Sequence, residues 1–363
     1  LLLSLHFFPT SGRCDSCSTI LLKHDSLLLL GHNLDESTDF EGFLCVNKRH
    51  VYKTGCTWKE LTASKRGFSP TLCWISRYGS VTFSGIGRDL PDSGINEAGL
   101  AIEEMSLAGQ VYPYDSFRPK LFQMQWIQYH LDRFRTVDEV IQSASLVVPN
   151  GWPWHFFVAD RHGDCAVIAY IDGKLSVHTG ESMPVTVLCN SPYASELARL
   201  GRYKNFGGRK TISPANKKIP RFVRAAEMLR AYDPQIHGPA VDYGFRILEN
   251  LGSRLTRRSY VVDIKNRRIH FRTGSNPAVR HVTMNGLDFS CGSPVRVLDL
   301  DVRHHGDVTD RFRDYTLEEN RRIATRWVEH AQAMHPDRTE EQHLAGVTSD
   351  SQIERYATYP ESA

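Results

Sequence analysis

The chain has 363 residues, 44 of them basic and 41 acidic, for a net charge of +3. So even a balance excludes the electrostatic footprint of a nucleic-acid binder, and no run approaches the roughly 20 apolar residues of a membrane-spanning helix. Eight cysteines in this length do not make a disulfide scaffold.

Leu1 to Phe8 is apolar, and Pro9-Thr10-Ser11-Gly12 supplies small residues, the pattern of a secretory leader and its cleavage end. Residues 1–16 are therefore expected to leave as a leader, with Arg13 to Ser16 as a short propeptide. The mature protein is expected to be exported, or cytoplasmic if the segment is only a propeptide. Removal would make Cys17 the first residue of Cys17-Ser18-Thr19-Ile20-Leu21-Leu22. A terminal amine has an unperturbed pKa of roughly 7.7 to 8.0 and lies within one residue's reach of the thiol, so it can serve as that thiol's proton acceptor. A half-buried strand cysteine is the plain structural alternative. Cys14-Asp15-Ser16-Cys17 has redox or zinc spacing, but no second such pair and no His pair at ligand spacing accompany it, and neither metal nor organic cofactor is expected.

Ser18 to Leu22 and Leu27 to Gly31 read as strands joined by Lys23-His24-Asp25-Ser26. This hairpin returns Gly31-His32-Asn33-Leu34-Asp35 towards the chain start, so Asp35 can lie against Cys17 and hold a terminal amine in line with the thiol. An ordinary turn or cap aspartate is the alternative. His32 either orients a substrate or closes the hairpin. Cys45, Cys56, Cys73 and Cys291 are open to bridging in an exported protein. Gly94 to Ile102 is a turn feeding a strand, in which Asn96 is expected to stabilise the turn with its side chain, and Ser106, further on, is a candidate to face a substrate.

Leu121 to Leu131 has helical spacing, and Thr136-Val137-Asp138-Glu139 is a capping box opening Val140 to Leu146. Ala166 to Ile171 and Leu175 to Val177 pair through Asp172-Gly173, and Cys165 and Cys189 read as core thiols. The apolar strand Val185 to Cys189 ends at Asn190-Ser191-Pro192, setting an amide NH2 at a sheet edge. There it can donate to an oxyanion, or it simply makes the turn before Pro192. Basic residues thicken between Arg199 and Arg224 as a solvated loop and helix face. Arg221 opens a helix to Arg230, where its charge opposes the dipole and calls for a partner such as a carboxylate, at an anionic active site or in a surface salt bridge.

Tyr243 to Leu251 is a further helix, and Tyr260 to Ile264 and Ile269 to Arg272 form a hairpin turning at Lys265-Asn266-Arg267-Arg268. Thr316-Leu317-Glu318-Glu319 is a second capping box for a helix through about Met334, after which the polar tail, residues 336–363, is expected to add little to the core. Trp74, Trp126, Trp152 and Trp154 suit core packing, with an acyl pocket as the other use. The mixture fits one domain, residues 17–335, of antiparallel sheets with helices on their outer faces.

In order along the chain, Cys-Ser-Thr at Cys17, Gly-x-Asn-x-Asp ending at Asp35, Asn-Glu-x-Gly-Leu from Asn96, Asn-x-Pro from Asn190 and Arg-Phe-Val-Arg from Arg221 resemble the choloylglycine hydrolase and penicillin V acylase family of N-terminal nucleophile hydrolases. His155 to Asp160 and the Arg258-to-Arg272 hairpin look like further family strands. The resemblance implies an α+β fold, a four-layer αββα sandwich of two antiparallel sheets, and hydrolysis of linear carbon-nitrogen amide bonds in a small N-acyl amide. It implies Cys17 as nucleophile and, through its freed amine, base; Asp35 as orienting partner; Asn190 as oxyanion donor; and Arg221 as charged support. His32 stands where the family usually carries arginine, the first hairpin is one residue shorter, and Ser106 falls where the family often places Tyr or Asn near substrate, so neither relative's specificity transfers. Acyl transfer on the same fold, a non-catalytic binding protein that has lost processing, and a redox or zinc protein using Cys14 and Cys17 are the competing readings. Self-association is left open.

Overall fold

The apolar runs form strands that are buried on both faces, as in a sheet covered from two sides. In the computed structural model, which describes residues 17–36, 42–62, 71–115, 117–334 and 348–362, two largely antiparallel sheets lie face to face. One has seven strands, in spatial order Val187–Leu188, Ser18–His24, Leu27–Asp35, Thr256–Asp263, Arg268–Thr273, Arg280–Thr283 and Gly306–Asp307. The other has nine: Lys174–Thr179, Cys165–Ile171, Trp154–Ala159, Ala101–Ser106, Ser93–Asn96, Ser80–Ser84, Phe43–Asn47, Arg296–Asp299 and Arg313–Asp314.

Helices Tyr193–Leu200, Arg221–Arg230 and Ala240–Leu251 cover the outer face of the first sheet, and Gln123–Arg133, Val137–Ala144, Leu317–Met334 and Ser349–Ser362 that of the second. The four layers are those of an αββα sandwich. Gly31 lies under the Ala240–Leu251 helix, and a Cβ there would crowd Ile20 of the paired strand at 3.0 Å while only touching Leu248 at 3.4 Å.

The first hairpin turns on Asp25 and Ser26, with His24 opposite Leu27 and Asp25 in the left-handed region at φ 49°. Side chains alternate across its sheet. Thr19, His32 and Tyr260 make one cross-strand row facing the opposing sheet, while Ser18, Asn33 and Ser259 make the adjacent row facing the helices. Asn33 accordingly donates to the Leu248 carbonyl at 2.8 Å.

Asn96 acts as its position suggests. Its side-chain oxygen accepts from Ala98 and Leu100 N–H at 3.1 and 2.9 Å, and its NH2 donates to the carbonyls of Leu131 and Phe134 at 2.8 and 2.7 Å. Thr136 caps its helix with Glu139 closing the box, and the helix starts at Val137, because the box residues are themselves its first turn. Lys120–Phe122 is a short strand paired with Val148–Asn150, so the next helix begins at Gln123 and not at Leu121.

Three expectations are corrected or bounded. The tail is not a passive extension: Ser349–Ser362 is a helix lying on Leu317–Met334, with Tyr356, Ala357 and Tyr359 buried. Ile353, Tyr356 and Ala357 fall on one helical stripe, which the polar composition around them conceals. Cys45, Cys56, Cys73 and Cys291 are all free thiols, as are Cys17, Cys165 and Cys189. The leader, with Cys14, and residues 335–347 lie outside the described residues.

Candidate active site

Cys17 heads the Ser18–His24 strand, next to the strand bearing Asp35 on one side and to Val187–Leu188 on the other. The pairing Thr19 to Leu188 carries the chain on through Cys189 to Asn190 beside Cys17. The first hairpin thus delivers the thiol and Asp35 together, and a strand more than 160 residues away delivers the amide.

Arg221, at the first position of its helix, joins them. Its Nη1 donates to the Cys17 carbonyl at 2.8 Å and to Ser18 Oγ at 2.7 Å, and its Nη2 donates to Asn190 Oδ1 at 3.1 Å. The partner expected for this guanidinium was a carboxylate. Those three contacts are to neutral oxygens, and Asp35 acts on it through space. Asn190 is held at its other end as well, its NH2 donating to the Ser106 carbonyl at 2.9 Å. One N–H of that amide remains to be aimed elsewhere.

Asp35 is fixed by two hydroxyls that sequence reading did not single out. Thr256 donates to Oδ1 at 2.6 Å and Ser253 to Oδ2 at 3.1 Å. A register shift between Thr256 and Arg258 turns Thr256 towards Asp35. The Cys17 sulfur lies 3.9 Å from the Asp35 backbone carbonyl. Burial pushes the Asp35 carboxyl up, opposed by the Thr256 and Ser253 hydrogen bonds and by the Arg221 and Arg257 charges.

The Cys17 thiol is pushed well above its usual range, chiefly by burial and next by the charge of Glu104, with Asp35 and Glu36 adding to it. Such a thiol is unreactive until something lowers that value or removes its proton. Ser106 joins the cluster through its backbone carbonyl, on the strand opposite Asn190. His32 lies one row deeper, 1% exposed, its Nδ1 2.8 Å from Thr19 Oγ1 and its pKa lowered by burial, then by Arg258, to about 3. Cys17, Asp35, Asn190 and Arg221 therefore converge, Ser106 touches the group by its main chain, and His32 is turned into the inter-sheet core. Among the described residues no group of three His, Cys, Asp or Glu side chains is arranged to hold a metal ion.

Four layers, with a cysteine heading the second strand of the seven-stranded inner sheet, are the architecture of the N-terminal nucleophile hydrolases. Comparison with known proteins agrees. A penicillin V acylase structure from Agrobacterium tumefaciens superposes with a TM-score of 0.70 at 27% identity, covering 83% of this chain and 98% of that one. A variant of the conjugated bile acid hydrolase of Clostridium perfringens gives 0.64 at 19% identity, covering 79% and 99%, a likeness of fold. The penicillin V acylase of Pectobacterium atrosepticum is 29% identical over 287 residues, 67% of this chain and 76% of that protein.

Residues 17–297 match the linear amide C-N hydrolases of the choloylglycine hydrolase family, and the chain belongs to that family. It is an amidohydrolase acting on linear amides.

Proposed function

We propose that the chain is a cysteine amidase whose residues 1–16 are removed, that Cys17 is both nucleophile and base, and that the apolar leader directs export. While Ser16 remains attached, the Cys17 nitrogen is a peptide amide and cannot accept a proton. Cleavage releases an amine beside a thiol that burial and three carboxylates otherwise keep protonated. The amine takes the thiol proton and the sulfur attacks the acyl carbon. The oxyanion meets the Asn190 NH2, whose position Arg221 and Ser106 set on either side. The C–N bond breaks as the ammonium returns the proton to the leaving amine. Water, deprotonated by the same amine, then opens the thioester and frees the acid.

The observation that carries this reading is the single guanidinium spanning the Cys17 carbonyl, Ser18 and Asn190. The relatives named penicillin V acylase support a small N-acyl amide as substrate. Intact-mass analysis of the purified protein, peptide mapping after a thiol-directed acylating probe, and assays on phenoxyacetyl amides, bile-acid conjugates, N-acyl amino acids and acyl-homoserine lactones test it. The expected result is a chain beginning at Cys17, labelled there, and inactive as Cys17→Ala. An adduct on another cysteine, with Cys17→Ala fully active, would sink the reading.

A further inference from the structure

The row formed by Thr19, His32 and Tyr260 underlies the site, since Thr19 is two residues from Cys17 and His32 three from Asp35. Its members are coupled. Thr19 Oγ1 and His32 Nδ1 are 2.8 Å apart, and the Thr19 hydroxyl also faces the Met105 sulfur at 3.5 Å. With that hydroxyl donating to sulfur, His32 Nδ1 is the donor to Thr19. The His32 and Tyr260 rings lie 5.2 Å apart.

From the opposing sheet the Ala101–Ser106 strand projects Glu103 into this row. Its Oε2 accepts the Tyr260 hydroxyl and stands 3.8 Å from His32 Nδ1. Glu103 is 1% exposed, and its Oε1 has no hydrogen-bond partner. The charged and titratable groups around it are Tyr260 and Arg258 from one strand, His32 from the next, and Asp92, which pairs with Arg258 and accepts from Ser93 at 2.8 Å. Burial pushes the Glu103 carboxyl well up, and it holds His32 down to about 3, so the imidazole is neutral near pH 7. A buried carboxyl with one oxygen unpaired costs stability, and an apolar side chain of similar size would fill the same space more cheaply. What the carboxyl supplies is direction: it fixes one sheet's row relative to the other.

We propose that Glu103 is a positioning residue for the Cys17 site, bracing from the opposite sheet, through Tyr260, His32 and Thr19, the hairpin that carries Cys17 and Asp35. The proposal rests on Cys17 being the nucleophile. Reactivity at that sulfur depends on its placement against the amine and Asn190, and a displacement of about 1 Å costs on the order of 100-fold in rate.

The test compares Glu103→Gln and Glu103→Leu in the mature protein. Four quantities are read: kcat and KM on a phenoxyacetyl amide, the iodoacetamide alkylation rate of Cys17 by peptide mapping, and the melting temperature. Glu103→Leu is expected to melt at or above the wild-type temperature, yet lose about 10- to 100-fold in kcat with KM within about threefold and an altered Cys17 alkylation rate. Glu103→Gln, which keeps size and hydrogen bonding, is expected to retain most of both. An unchanged kcat and alkylation rate in Glu103→Leu overturns the proposal, as does a kcat loss that only tracks a fall in melting temperature, or a Gln variant as impaired as Leu. A wild-type protein whose activity does not depend on Cys17 defeats the underlying reading instead, so the two failures are distinct.

Discussion

Arg221 Nη1 lies 2.8 Å from the carbonyl oxygen of Cys17, so the helix that starts at residue 221 is tied to the main chain of the residue bearing the thiol. A positive charge at a helix N-terminus opposes the dipole. Here the fork of the guanidinium offsets that cost by serving Cys17, Ser18 and Asn190 at once.

Arg221→Lys is expected to lose most of the activity, because one ammonium cannot hold three acceptors in the plane of a guanidinium. A fall of about 100-fold or more in kcat, with KM changed little, is the expected outcome of steady-state kinetics. A Lys variant near wild type would show that charge alone suffices.

Asn190→Ala should lower kcat by about 100- to 1,000-fold, the usual cost of losing one oxyanion donor. Substrate affinity should be nearly unaffected, since in the proposed mechanism the amide meets charge that develops only in the transition state. A change confined to KM would assign Asn190 to substrate binding.

Asp35→Asn should trade activity for stability. The carboxyl's pKa is raised in the fold, chiefly by burial. The unfolded chain therefore releases this proton first as pH rises, and stability falls from roughly pH 4 up to the folded value, then stays lowered. The Asn variant, free of that penalty, should melt above wild type at pH 7 and lose the advantage below about pH 4. Melting curves at the two pH values, together with an assay, check both halves.

Tyr356→Ala should destabilise the fold by about 3 to 5 kcal/mol, as emptying a large buried aromatic site does. Tyr356 is 2% exposed and packs beside Trp58, with ring centroids 6.1 Å apart. Urea unfolding measures the loss, and an effect below about 1 kcal/mol would mean the tail helix contributes little.

What could be read from sequence was local. The Ser18-to-Asp35 hairpin, the Thr136 and Thr316 caps and the Asn96 turn each depend on neighbours a few residues away, and all are present. The second half of the site was not legible, because its contacts cross the fold. Ser253 and Thr256 reach Asp35 from 218 and 221 residues away, and the Ser106 partner of Asn190 is a carbonyl, which no residue type announces. The approach of Glu103 to His32 was hidden for a related reason. A strand pattern shows which face a residue occupies, but not that the opposite face of the space is another sheet carrying a carboxyl.

The hairpin with Cys17 is local in sequence, but the strands on either side of it come from residues 187–188 and 256–263. Until those strands pair with it the hairpin is a two-stranded ribbon, without the Asn190 amide, the Arg221 guanidinium or the Ser253 and Thr256 hydroxyls beside it. Pairing at such sequence distance is slow, because the loops must close before any contact rewards them. A chain lacking residue 221 and beyond would have no guanidinium to span Cys17, Ser18 and Asn190, so the cluster assembles only when segments some 200 residues apart have met.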